Sequence, residues 1–224
     1  MEALTIGGIL VGIVVFIAGI IAIVIYLDKK RREALGGFAE EMGLDFQPKG
    51  DAEMQSQFSR FGLFNSGHSK KIKNVIRGET DVATITMFDY QYTVGHGKHQ
   101  HTHKQTVVTM ESNDLQIPSF TMRPEGLFDK LGGILGFQDI DFEEHPEFSK
   151  MFVLKGENEV AIREFFDLPL LDFFASRKGI AFECQPGIFI YYRGGRTAKV
   201  PALKDFLNEG YTVYSTFLER LERN

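Results

Sequence analysis

The chain has 224 residues, 43% of them hydrophobic and 25% charged, with a formal net charge of -5. That length supports one sizeable folded domain with appendages, and a mildly acidic chain without a long basic stripe argues against nucleic acid as a partner. A single cysteine, Cys184, excludes an intrachain disulfide and fits a reducing compartment.

Residues 3–27 contain no charge and are rich in Ile, Val, Leu and Gly. A helix needs about 20 apolar residues to cross a bilayer core, so residues 1–27 are expected to form a transmembrane helix. Basic residues follow the apolar run instead of preceding it, and no small-residue cleavage pattern closes it, which favours a retained anchor over a signal peptide. Lys29, Lys30, Arg31 and Arg32 are the expected topology determinants: by the positive-inside rule the N-terminus lies outside and the rest is cytoplasmic. Gly8, Gly12, Val15, Gly19 and Ala22 fall on one narrow arc of the helix, and such a stripe predicts close packing against a membrane partner or a second copy.

After the anchor, residues 28–50 read as a juxtamembrane helix ending at Gly43, followed by a strand at 44–47 that Pro48 closes. Residues 51–224 read as the cytoplasmic domain. Asp51 is a predicted N-cap. Strands are expected in KKIKNVIRG, VATITMFDYQYTV and QTVVTME between residues 70 and 111, with another at 119–122. A glycine-ended helix is expected over 126–136. Asp139, Asp141 and Glu143 alternate with Ile140 and Phe142 and suggest the exposed acidic edge of a strand, while lacking the glycine and final glutamate of a calcium loop. Helices are expected at 157–166 and 168–178, a hairpin in IAFECQ and IFIYYR, and a last helix opened by Pro201 with Gly210 as a possible bend. The fold class is therefore α+β, a single transmembrane helix followed by one compact domain with a mainly antiparallel sheet.

FAEEMGLDF at 38–46 matches FASRKGIAF at 174–182. Two origins account for the match: an internal duplication, or the common form of a glycine-capped turn from helix to strand.

The segment TVGHGKHQHTHKQTVV holds His96, His99, His101 and His103. In a strand His99, His101 and His103 would share one face, a workable half-site for zinc or another borderline metal. The other readings are a polar hairpin tip and a pH-responsive surface. A four-residue turn at 95–98 would pair Val94 with His99, Tyr92 with His101 and Tyr90 with His103, stacking the row on tyrosines. No cofactor is expected, since no complete phosphate loop, nucleophile elbow or zinc-protease motif is present. An enzyme with an unfamiliar site would gain support if His103, Asp89 and Glu111 converged in a concave pocket. Cys184, in an apolar strand pattern, reads as a buried inert thiol. Of Phe165, Phe166, Phe173 and Phe174, most should be core, and any left exposed would mark a contact surface.

NVIRG at 74–78, FDYQYT at 88–93, THKQTVV at 102–108, DIDF at 139–142 and PEF at 146–148 together resemble a family of uncharacterised bacterial proteins with an N-terminal membrane anchor. The resemblance implies a bacterial inner (plasma) membrane location and carries no activity, cofactor or catalytic residue. The expected function is a non-catalytic accessory or scaffold subunit of a larger respiratory, photosynthetic or transport complex. The alternative is a membrane-anchored metal or pH sensor using the hairpin at 96–103.

Overall fold

The computed structural model describes residues 2–126 and 138–223, with side chains from Gly12 onward. One helix, α1 (Glu2–Met42), runs without interruption from the apolar segment through the basic cluster and onto the domain. The separate juxtamembrane helix expected after residue 27 is instead the second half of α1. Nothing in YLDKKRREAL breaks a helix: Lys, Arg, Glu, Ala and Leu are good helix formers, and Gly and Pro are absent. Its end is glycine-capped as expected, with Gly43 at φ +67, Gly43 N–H donating to Glu40 (3.1 Å) and Leu44 N–H to Ala39 (2.9 Å). The apolar part of α1 is long enough to cross a membrane, and it is exposed throughout its described length.

Eight antiparallel strands form one sheet in the order β1-β2-β3-β4-β8-β7-β5-β6. They are β1 (Asp45–Lys49), β2 (His68–Glu79), β3 (Thr84–Val94), β4 (His101–Glu111), β5 (Phe120–Pro124), β6 (Phe152–Gly156), β7 (Ala181–Gln185) and β8 (Ile188–Tyr192). Pro48 lies inside β1 and does not close it. β1 is an edge strand whose pairing steps from Gln47–Val75 to Lys49–Lys73, so the proline is bypassed where a missing N–H is harmless.

Both faces of the sheet are covered. On one lie the C-terminal half of α1 and the helices α5 (Glu159–Phe165), α6 (Leu168–Ala175) and α7 (Leu203–Glu222), over a core rich in phenylalanine. Phe217 of α7 meets the rings of Phe120, Phe165, Phe174, Phe182 and Phe189, all within 6.0 Å between centroids. Phe165, Phe166 and Phe174 are buried, and Phe173 is half-buried with the Arg177 guanidinium 3.6 Å above its ring. Gly210 is buried in an unbroken α7. A Cβ there would stand 3.3 Å from the Tyr191 ring, so the glycine lets the helix approach the sheet. On the other face, α2 (Ala52–Phe58) and α3 (Gly62–Asn65) cover Phe88, Tyr90, Tyr92, Ile190 and Tyr192. Asp51 caps α2 as expected, accepting from Met54 N–H at 2.8 Å.

Between β5 and β6 the expectation of a helix at 126–136 falls mostly outside the described residues. The acidic stretch after it is a loop, not a strand edge. Ile140 and Phe142 are buried by that loop, the Asp139 carboxylate accepts from Leu154 N–H (3.0 Å), and the chain then forms α4 (Pro146–Met151). The two matching FAxxxGxxF segments both sit at helix-to-strand turns, and both glycines have positive φ (+67 and +74).

Candidate functional site

The most connected polar group on the surface lies where α1 leaves the apolar segment and meets the sheet. Arg31 donates from Nε and Nη2 to the two carboxylate oxygens of Asp89 (2.6 and 2.7 Å), from Nη1 to the carbonyl of Ala198 (2.9 Å) and from Nη2 to Thr106 Oγ1 (3.2 Å). Asp89 also accepts from Asn74 Nδ2 (2.9 Å) and Thr106 Oγ1 (3.0 Å). Asn74 reaches Asp89 because β2 carries an irregularity between Lys73 and Ile76, where Asn74 takes φ +53, a conformation asparagine tolerates better than most residues. One helical turn before Arg31, Asp28 pairs with Lys73 at 2.8 Å, and that hydrogen bond holds its carboxyl below the usual carboxylate range. A forked guanidinium on a carboxylate is among the stronger and more orienting polar contacts. It fixes α1 against β2, β3 and the loop after β8 together.

A cavity of about 210 Å³ opens beside this clamp, lined by Leu27, Arg31, Arg32, Lys73, Asp89 and Lys104 among others. Arg32 and Lys104 are exposed at its rim and make no hydrogen bond or salt bridge among the described residues. Of the expected topology determinants, then, Arg31 is spent on the clamp, Lys29 pairs with Glu33 (3.7 Å), and Lys30 and Arg32 point to solvent. The clamp was not foreseen from the sequence. Its only local trace is Asp89, a charge inside the apolar and aromatic run TITMFDYQYTV.

The direction of α1 relative to the strands decides which end of the sheet faces the anchor. Asp28 meets Lys73, and Gly36 lies 3.5 Å from the ring of Phe46, the partner of Ile76 in β2. Going back along α1 toward the apolar segment therefore means going back along β2 toward His68 and forward along β3 toward Val94. The histidine-bearing turn is at the anchor side of the domain.

That turn spans six residues, 95–100, and contains a 3-10 turn at Gly97–His99. The register is accordingly Val94–His101, Tyr92–His103 and Tyr90–Gln105, two residues from the expected one, because the turn is two residues longer than the four expected. A shift of two preserves faces. His103 does stack on Tyr92 (5.2 Å) and meets His101 edge-on (4.8 Å), whereas His99 belongs to the turn and His96 stacks on His68 at 5.7 Å. Among the described residues no group of three His, Cys, Asp or Glu side chains is placed to hold a metal ion. His103, Asp89 and Glu111 do not converge: Asp89 faces α1, His103 faces the opposite side with Tyr92, and Glu111 ends β4 far from both.

Behind the histidines the sheet buries an unusual amount of polar chemistry. Glu183 accepts from Gly62 N–H (2.6 Å), Leu63 N–H (3.0 Å), Arg123 Nη2 (2.5 Å) and Tyr192 Oη (3.1 Å), so its carboxylate ties β7, β5 and β8 to the start of α3. Beside this group Tyr90 Oη, Tyr92 Oη, His103 Nε2 and Gln105 Nε2 are buried without a hydrogen-bond partner among the described residues. Burial pushes both tyrosine hydroxyls far above their usual range, and burial followed by the charge of His101 holds the His103 imidazole below its own. Cys184 is fully buried, with its thiol pushed up by burial.

No protein-family model and no curated protein matches the chain. A solved structure does: that of the mycobacterial trehalose monomycolate transport factor A, TtfA, with a TM-score of 0.60 over 85% of this chain and 93% of that one, at 12% sequence identity. The likeness is one of fold. An apolar N-terminal helix followed by an eight-stranded antiparallel sheet with helices on it makes the fold of this chain α+β.

Proposed function

We propose that this chain is a single-pass, non-catalytic accessory subunit of a bacterial inner-membrane transport assembly, with its N-terminus outside and its α+β domain held on the cytoplasmic side. The observation that carries this reading is the continuity of α1 with the Arg31–Asp89 clamp. The domain has one fixed rotation and height relative to its anchor, as a bracket does. The fold likeness to a transport factor supports transport over respiratory or photosynthetic assemblies. Gly12 and Gly19 leave open space where a Cβ would go, so the stripe with Val15 and Ala22 is free to receive another helix.

Purification from native membranes in mild detergent tests the reading. A co-purifying membrane protein is expected, and Gly12→Leu with Gly19→Leu should reduce its recovery at least severalfold. Recovery of a lone monomer at unchanged activity of membrane transport would overturn it.

A further inference from the structure

We propose that the anchor-side end of the sheet is a contact for anionic lipid headgroups, an inference that rests on α1 crossing the membrane. Three segments reach this end: residues 66–74 of β2 and the turn before it, 90–106 around the histidine turn, and 193–199 after β8. The last belongs there because Thr106 N–H donates to the carbonyl of Arg196 (3.2 Å) and Gly195 N–H to Gln105 Oε1 (3.0 Å), continuing β8 alongside β4 toward the turn. Together these segments hold eight Lys or Arg residues and no Asp or Glu, in a chain whose net charge is -5.

Most of the acids that stand nearby are already matched; exposed Asp51 and Glu53, just past the Gly50–Ile72 hydrogen bond, have no ion pair among the described residues. Asp28 pairs with Lys73, Glu33 with Lys29, Asp89 with Arg31 and Glu209 with Arg193. Left over and exposed are Lys70, Lys71, Lys98, Lys104, Arg196 and Lys199. The acidic surplus is displaced to the far end of the same strands, at Glu79, Asp81, Glu111 and Asp114. A domain polarised along the axis of its own anchor presents its positive pole to the leaflet. The cavity beside the clamp fits the same chemistry: Leu27 is at its apolar side, Asp28 and Asp89 in its wall are paired with Lys73 and Arg31, and Arg32 and Lys104 stand exposed at its rim, without a salt bridge among the described residues, where a lipid phosphate would stand. Near an anionic surface each such cation is worth about a fivefold shift in favour of contact.

Full-length protein in phosphatidylcholine nanodiscs decides the matter. A fluorophore is placed by Gln100→Cys at the anchor-side turn, or by Asp81→Cys at the far end, Cys184 being buried. Trace headgroup-spin-labelled phosphatidylglycerol or phosphatidylcholine, at equal mole fraction, is the quencher. At position 100 the phosphatidylglycerol label should quench at least twofold more than the phosphatidylcholine label, with little quenching by either at position 81. Lys70→Glu, Lys71→Glu, Lys98→Glu and Lys104→Glu together should equalise the two quenchers, with an unchanged circular dichroism spectrum. Equal quenching in the unsubstituted protein, or a preference that survives the four reversals, overturns the lipid contact and leaves the anchor intact. Failure of the chain to enter nanodiscs overturns both.

Discussion

Arg31 belongs by sequence to a basic run that orients membrane helices, and by structure to an ion pair with a residue 58 positions away. Both uses of one guanidinium are physically compatible, but only the first is local, so only the first is visible in a window of sequence. The pair is largely shielded, with side-chain exposures of 24% and 13%. Asp89→Asn keeps the shape but removes the charge facing Arg31 and one of the two strong acceptors. We expect a loss of about 2 kcal/mol in the domain's unfolding free energy, read by urea denaturation of the detergent-solubilised chain. Arg31→Lys should lose part of this through the missing fork, while Lys30→Gln, which makes no such contact, should leave stability unchanged. His103 offers a second test at this scale. Its folded-state affinity for protons is depressed by burial and by His101, so the unfolded chain binds the proton better. Stability is therefore intact above the ordinary histidine range and falls as pH drops below about 6.5. The difference in melting temperature between pH 7.5 and 5.5 should shrink in His103→Gln.

At the scale of elements, the β3–β4 hairpin shows what patterning can and cannot fix. Alternation told which residues share a face, and because the period is two, a register error of two left the faces unchanged. It could not fix the turn, since Gly95 and Gly97 both take positive φ and the six-residue loop they permit has no stronger signature than a four-residue one. The same holds for the Arg123–Glu183 group. A charge within the apolar strand pattern AFECQ hinted at a buried partner, but its partners come from β5, β8 and α3, distant in sequence. The glycine caps, Asp51 and the aromatic strands were readable because each carries a local cause; the short helices α3 and α4 and the run at 138–145 were not, the last because its buried Ile140 and Phe142 imitate a strand's alternation. The hairpin's core yields a sharp prediction. Tyr92 is fully buried and stacked between Tyr90 (5.5 Å) and His103, yet its hydroxyl has no hydrogen-bond partner among the described residues. Tyr92→Ala should cost about 3 kcal/mol or more through the cavity it leaves. Tyr92→Phe should be neutral or stabilising, since it removes an unpaired buried polar group; a loss of stability in urea titration would mean the hydroxyl is satisfied in solution.

For the whole molecule the continuity of α1 has a consequence that the separate parts do not. The glycine stripe and the sheet are both rigidly set on one helix, so their relative azimuth is fixed by the number of residues between them. Each inserted residue turns the anchor by about 100° and lifts the domain by about 1.5 Å. Two residues inserted between Leu27 and Asp28 leave the stripe and the Arg31 clamp chemically untouched but rotate one against the other by about 200°. Seven inserted residues restore the azimuth to within about 20° while raising the domain by about 10 Å. If one partner assembly receives both the anchor and the domain, the two-residue insertion should abolish co-purification although both parts remain folded. If the anchor-side lysines reach the headgroups, the seven-residue insertion should regain the partner yet lose the preferential quenching by anionic lipid at position 100. The two insertions thus separate azimuth from height. A chain that tolerates both without loss would have a domain that works as a freely tethered unit, and the clamp between Arg31 and Asp89 would then serve stability alone.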